Sequence, residues 1–143
     1  MKTIMCCLAL VTMAMFTSAA FAQEPTLTSV EAKFDTTKDS KKQDTKLDVY
    51  LKNRDGQEVG KSEGNEGLWD KNSTHTIPLQ IEGNPTKADV AKGSVSLTFH
   101  PHGGNTWKFN YKVILKFSDD SMILKEVYGC VLTQYNTARA DSL

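Results

Sequence analysis

Trp107-Lys108-Phe109-Asn110-Tyr111-Lys112-Val113-Ile114-Leu115-Lys116-Phe117 is the stretch whose reading decides the fold. Trp107, Phe109, Tyr111, Val113, Leu115 and Phe117 share one parity, with Lys108, Asn110, Lys112 and Lys116 on the other. Side chains of a strand alternate between its two faces, so this period of two predicts a long strand, buried on one side and wet on the other. A helical period is nowhere sustained in the chain around it.

Working outward, Ser118-Asp119-Asp120-Ser121 reads as a hairpin turn leading to closing strands over 122–127 and 128–133. Upstream, Val95, Leu97 and Phe99 alternate with Ser94, Ser96 and Thr98. Leu47, Val49 and Leu51 alternate with Asp48, Tyr50 and Lys52, and Val30, Ala32 and Phe34 with Glu31 and Lys33. Asn53-Arg54-Asp55-Gly56 is a turn and 57–61 a short strand. Residues 62–74 read as a Gly- and Asn-rich loop pinned by Leu68-Trp69. A strand over 76–81 contains Pro78, which lacks the N–H a ladder needs and predicts a sheet edge. One helical turn fits 85–91, with Thr86 as N-cap and Asp89 completing a capping box. Roughly seven or eight short strands at intervals of about 8–12 residues predict an all-β, antiparallel two-sheet β-sandwich. A closed barrel is the alternative, disfavoured because the Pro78 strand implies an edge.

Residues 1–22 carry Lys2, an apolar run over 4–16 and the small-x-small pattern Ala20-Phe21-Ala22, and so read as a secretory signal peptide cleaved after Ala22. The expected organisation is a signal peptide over 1–22, a sandwich over 23–135 and a flexible polar tail over 136–143, in a secreted or periplasmic protein without a transmembrane segment after cleavage. Cleavage removes Cys6 and Cys7 and leaves Cys130 as the only thiol among three cysteines. Packing, and not an internal disulfide, must then hold the domain. Cys130 lies in an apolar run, as a small buried hydrophobe in a monomer or as the link of an intermolecular dimer. With 17 Lys and Arg against 17 Asp and Glu, interleaved, the chain lacks the clustered basic footprint of a nucleic-acid binder.

Catalytic motifs are absent from the sequence: no Gly-x-Ser-x-Gly, no His-Glu-x-x-His and no phosphate-binding Gly-rich loop. His100 and His102 flank Pro101, where a turn competes with the regular strand that would align both rings on a metal. The loop over 35–45 offers Asp39 and Asp44 as hard oxygen ligands for calcium, with Asn105 joining them if both loops lie at one end of the sandwich. Lys38, Lys41 and Lys42 are interleaved there, and a solvated charged loop is the competing reading. Trp107 reads as a core residue. Trp69 is either a loop anchor or an exposed ligand-contacting or membrane-dipping side chain, and with His102 and Asn105 it makes up the candidate binding set.

The stretch Gln43-Asp44-Thr45-Lys46-Leu47-Asp48-Val49-Tyr50-Leu51 resembles the Gly-Thr-Asp-x-x-Val-x-Ile-x-Leu segment of PLAT domains, the C2-like β-sandwiches of lipoxygenases, lipases and polycystins. Gly104-Asn105-Thr106-Trp107-Lys108-Phe109-Asn110-Tyr111-Lys112-Val113 is similar to the segment in which that family opens a long strand with a tryptophan. The family's glycine is Gln43 here, and Asn105 stands where an acidic residue is often found. The resemblance implies a non-catalytic module that contacts a protein, lipid-surface or carbohydrate partner through loops at one end, 35–44 and 100–105, with Ca²⁺ optional. Two other functions fit the compartment and size: an inhibitor or immunity-type protein that plugs a partner with the loop over 60–72, and a small hydrolase using paired carboxylates.

Overall fold

The structure is a computed structural model, and it describes residues 22–143. The expected signal peptide, with Cys6 and Cys7 inside it, lies outside the described residues apart from Ala22. The described chain forms nine strands and one helical turn: β1 (Leu27–Thr36), β2 (Lys46–Lys52), β3 (Glu58–Asn65), β4 (Thr74–Pro78), β5 (Gln80–Ile81), α1 (Lys87–Val90), β6 (Ser94–His100), β7 (Thr106–Phe117), β8 (Met122–Thr133) and β9 (Ala138–Ser142). They make two sheets, β4-β1-β7-β8 and β5-β3-β2-β6-β9. Every pairing is antiparallel. The fold is the expected two-sheet β-sandwich, open at the edge strands β4, β8, β5 and β9.

The alternation read from β7 places Trp107, Phe109, Tyr111, Val113, Leu115 and Phe117 between the sheets, all buried. Leu47, Val49 and Leu51 of β2 and Val95, Leu97 and Phe99 of β6 close the core from the opposite sheet, in register Leu47↔Phe99, Val49↔Leu97 and Leu51↔Val95. Phe34 of β1 is its aromatic hub, with ring centroids 5.6 Å from Trp69, 5.7 Å from Trp107, 5.9 Å from Phe109 and 5.6 Å from Tyr111. Each fully buried side chain of this kind contributes about 1.5–3 kcal/mol relative to exposure. Among the described residues the one cysteine, Cys130, is free, so it is packing that stabilises this core.

Pro78 ends β4 on the edge of the four-stranded sheet, opposite Glu31. The strand expected over 76–81 is therefore two: after Pro78 the chain steps through buried Leu79, whose N–H donates to the Val30 carbonyl at 2.9 Å, and joins the other sheet as β5. Thr86 caps α1 as expected, accepting from the Asp89 N–H while the Asp89 carboxylate accepts from the Thr86 N–H at 3.0 Å.

Three more elements correct the sequence reading: the closing strands expected over 122–127 and 128–133 are one continuous strand, β8, bulged where its register shifts. β3 runs on to Asn65, into the region expected as a loop, because Asn65 donates to the Leu47 carbonyl at 2.9 Å and holds the strand end against β2. Residues 136–143, expected as a flexible tail, instead supply β9, which pairs with β6 from Thr98↔Ala138 to Ser94↔Ser142. A polar latch secures it: Asp141 accepts from the Tyr111 hydroxyl at 2.6 Å and from Arg139 Nε at 2.6 Å and Nη2 at 2.8 Å. Tyr111 belongs to the core strand of the facing sheet, so this latch joins the two layers at their open side.

Candidate functional site

The loops over 35–45 and 100–105 do meet at one end of the sandwich. Asn105 Nδ2 donates to Thr45 Oγ1 at 2.8 Å, Lys42 Nζ to the Gly104 carbonyl at 2.6 Å, and Asp39 pairs with Lys108 at 2.8 Å. Trp107 Nε1 donates to Thr36 Oγ1 at 3.1 Å, which satisfies the buried indole N–H. The two loops are knitted together, and a second lysine of the first loop ties it to the loop that carries Trp69. Lys41 is fully buried, donating to the Thr45 carbonyl at 2.6 Å and the Gly67 carbonyl at 2.8 Å. Burial pushes its pKa down to about 8, with the Glu66 carboxylate opposing that shift.

This arrangement relocates the candidate binding set. Trp69, one of the two alternatives for which was an exposed ligand contact, is 5% exposed and packs against Phe34 and edge-on against Trp107. Backbone bonds to Lys41 in both directions, at 3.1 and 3.0 Å, draw its loop down onto the domain. The segment 60–72, considered as a protruding plug, is thus part strand and part tethered loop. Asn105 is 4% exposed, its amide spent on Thr45. His102 alone of the three is exposed. Of the expected metal ligands, Asp39 is bound to Lys108, Asp44 faces solvent and Asn105 is internal, so they do not converge. No group of three or more His, Cys, Asp or Glu side chains gathers to hold a metal among the described residues.

The other sequence candidates resolve in the same way. His100 ends β6 and its Nε2 lies 2.6 Å from Asp48 Oδ2, while His102 sits beyond the strand in the turn. His75 stacks on Trp69, centroids 4.7 Å apart and planes at 10°, with burial first and the Lys41 charge second lowering its pKa. Cys130 is buried between the sheets beside Tyr111, as the buried-hydrophobe reading required, and burial pushes its thiol up to about 11. A disulfide to a second chain would require β8 to lift away.

Exposed apolar surface gathers elsewhere. Among the described residues six large hydrophobic side chains are exposed, and five of them, Met122, Leu124, Tyr128, Val131 and Tyr135, lie on β8 or in the turn after it. Across β7–β8, Met122 faces Lys116, Leu124 faces Ile114 and Glu126 faces Lys112; across β1–β7, Asp35 faces Asn110. Beside the apolar strip is a shallow open depression lined by Asp35, Asn110, Tyr111, Lys112, Glu126 and Tyr128. Sequence reasoning assigned 122–133 to closing strands and missed this face. Its signal was present in Met122, Leu124 and Tyr128, apolar at positions whose parity matches outward Lys112 and Lys116 once the strands are paired.

β8 is a 12-residue edge strand with features that discourage another strand from adding to it. Its register shifts opposite Asn110, where Gly129 takes a φ of 65° and donates its N–H to Asn110 Oδ1 at 2.8 Å. Lys125 has the core-facing parity of Val113. A bulge and an inward charge both blunt an edge, which leaves the face of β8, and not its rim, as the accessible surface.

Among the described residues no helix is long and apolar enough to cross a membrane. The fold and surface define an all-β, two-sheet antiparallel sandwich with an amphiphilic outer face. Comparison with protein-family models and with curated proteins finds no match to this chain.

Proposed function

We propose that the chain is an exported, non-catalytic β-sandwich binding module of PLAT- or C2-like type, acting as a monomer and contacting its partner through the outer face of β7 and β8. The observation that carries this reading is the gathering of exposed Met122, Leu124, Tyr128 and Val131 on one strand. Apolar side chains scattered singly are normal on a surface, whereas a contiguous group rimmed by charge marks a contact site. Here Lys112, Lys116 and Glu126 form the rim.

Export is supported by the residue pattern of 1–22. The reading needs no metal, because the Lys41 and Lys42 ammonium groups already bond the Thr45, Gly67 and Gly104 carbonyls at the loop end. The loops expected to make the contact serve in this reading as the clamp that closes one end of the sandwich.

The test is capture of a partner from the envelope fraction of the host by the immobilised protein. Capture by wild type and by His102→Ala, lost in a Met122→Ser/Leu124→Ser double variant of unchanged melting temperature, is the expected pattern. Loss with His102→Ala and retention by the double variant would return the contact to the loop end.

A further inference from the structure

We propose that the depression beside Tyr128 is a subsite for one neutral pyranose ring of a glycan. The inference rests on the reading of the β7–β8 face as the contact surface, and names the chemistry of the ligand.

Three of the lining side chains have spent only part of their hydrogen-bonding capacity on the protein. Asp35 Oδ1 accepts from Thr74 Oγ1 at 2.6 Å, Glu126 Oε2 accepts from the Tyr128 hydroxyl at 2.9 Å, and Asn110 Oδ1 accepts from the Gly129 N–H at 2.8 Å. Asp35 Oδ2 and Glu126 Oε1 remain as acceptors and Asn110 Nδ2 as a donor. Lys112 enters none of the ion pairs among the described residues and adds an ammonium donor. Donors and acceptors therefore stand side by side in one open dip.

Tyr128 supplies the other half of the site. Its ring is 68% exposed, and the bond from its hydroxyl to Glu126 restrains it on the sheet face. An aromatic face accepts the C–H side of a sugar ring, while the neighbouring groups meet hydroxyls that each donate and accept. Charge narrows the ligand further. Two carboxylates disfavour a phosphate or sulfate, and the Lys112 ammonium between them disfavours a metal ion. A peptide would be anchored by apolar side chains in a desolvated pocket, whereas this dip is open and polar, and Leu124 and Met122, one and two outward positions beyond Glu126 on β8, are not part of its lining. A neutral polyol is the chemistry that uses every group present.

The experiment is a titration of the ¹⁵N-labelled protein with cellohexaose, xylohexaose, chitohexaose and mannohexaose, following backbone amide shifts. The expected result is a saturable shift with at least one sugar, confined to Asn110, Lys112, Glu126, Tyr128 and Gly129 and their sequence neighbours. Tyr128→Ala should weaken it roughly tenfold, and Lys112→Met should weaken it while leaving the unbound spectrum otherwise intact. Saturable shifts that map elsewhere, or no saturable shift with any of the four at millimolar concentration, would overturn the inference. Failure here is distinguishable from failure of the contact-face reading, which stands or falls on capture by the Met122→Ser/Leu124→Ser variant and involves no sugar.

Discussion

The Lys41 ammonium stands 4.8 Å from the centroid of the Trp69 ring, inside the loop end and fully buried. Two carbonyls and an aromatic face replace the water it has lost, and among the described residues no carboxylate comes within ion-pair distance of it. Its cation therefore does structurally what a bound ion could do in such a place: it draws two chain segments, the loop holding Lys41 and Thr45 and the loop holding Gly67 and Trp69, onto one point.

The sign of its pH dependence follows. With a folded pKa of about 8 against an ordinary 10.5, the unfolded chain holds the Lys41 proton more tightly than the folded one across that window. Stability rises with pH wherever the unfolded state binds more protons. The unfolding free energy of wild type, measured by urea melts relative to Lys41→Met, should therefore increase between pH 8 and 10.5. A gap that shrinks over that range would mean that the site favours the cation over water.

His75 makes a second, independent pH prediction. Its folded pKa lies below the ordinary 6.5, so the stability it contributes is present above that value and is lost as the pH falls below it towards the folded pKa. Wild type should lose stability through that acid range more steeply than His75→Phe, which keeps the stack on Trp69 and cannot titrate. Equal slopes in the two proteins would remove His75 from the account.

Gly93 is required by close approach and not by backbone conformation. A Cβ placed there would overlap the Lys52 backbone carbonyl and meet the Val90 carbonyl at 3.0 Å. Backbone atoms cannot swing aside as a flexible side chain would. Gly93→Ala should destabilise the domain by about 2–4 kcal/mol, seen as a lowered melting temperature, whereas Gly104→Ala, whose nearest neighbour is the Gln134 side chain at 3.7 Å, should change it little.

The β9 latch predicts that Asp141→Ala costs about 1–3 kcal/mol, because the part-buried Tyr111 hydroxyl loses its acceptor. Hydrogen exchange should then quicken at Ala138 to Ser142 and along β6, with β1 and β4 unaffected. Uniform quickening across both sheets would show that β9 is part of the global unfolding unit.

Sheet composition was legible where burial sets a period of two. Trp107 to Phe117 and Leu47 to Leu51 declare their faces directly, and the Pro78 edge and the Thr86 cap follow from the missing N–H and the side-chain acceptor of single residues. β9 was not legible, since Ala138-Arg139-Ala140-Asp141-Ser142 turns its small alanines outward and its charged Arg139 and Asp141 half inward, and the partner of Asp141 is Tyr111, 30 residues away in sequence. Trp69 was legible as the anchor of its polar loop, one of its two readings, and it is buried against Phe34 and Trp107. Asn105 was hidden, because its burial rests on a bond to Thr45, 60 residues away in sequence. The β8 face was obscured for a related reason: its outward parity depends on a bulge at Gly129, which shifts the alternation partway along the strand.

The central claim is that partners meet the outer face of β7 and β8 and not the loop end. Site-specific photo-crosslinking in cells producing the full chain tests it most directly, with benzoylphenylalanine placed in turn at Leu124, Tyr128 and His102, all exposed positions. The account predicts adducts of higher mass from positions 124 and 128 and none from 102. Adducts from 102 with none from 124 or 128 would contradict it.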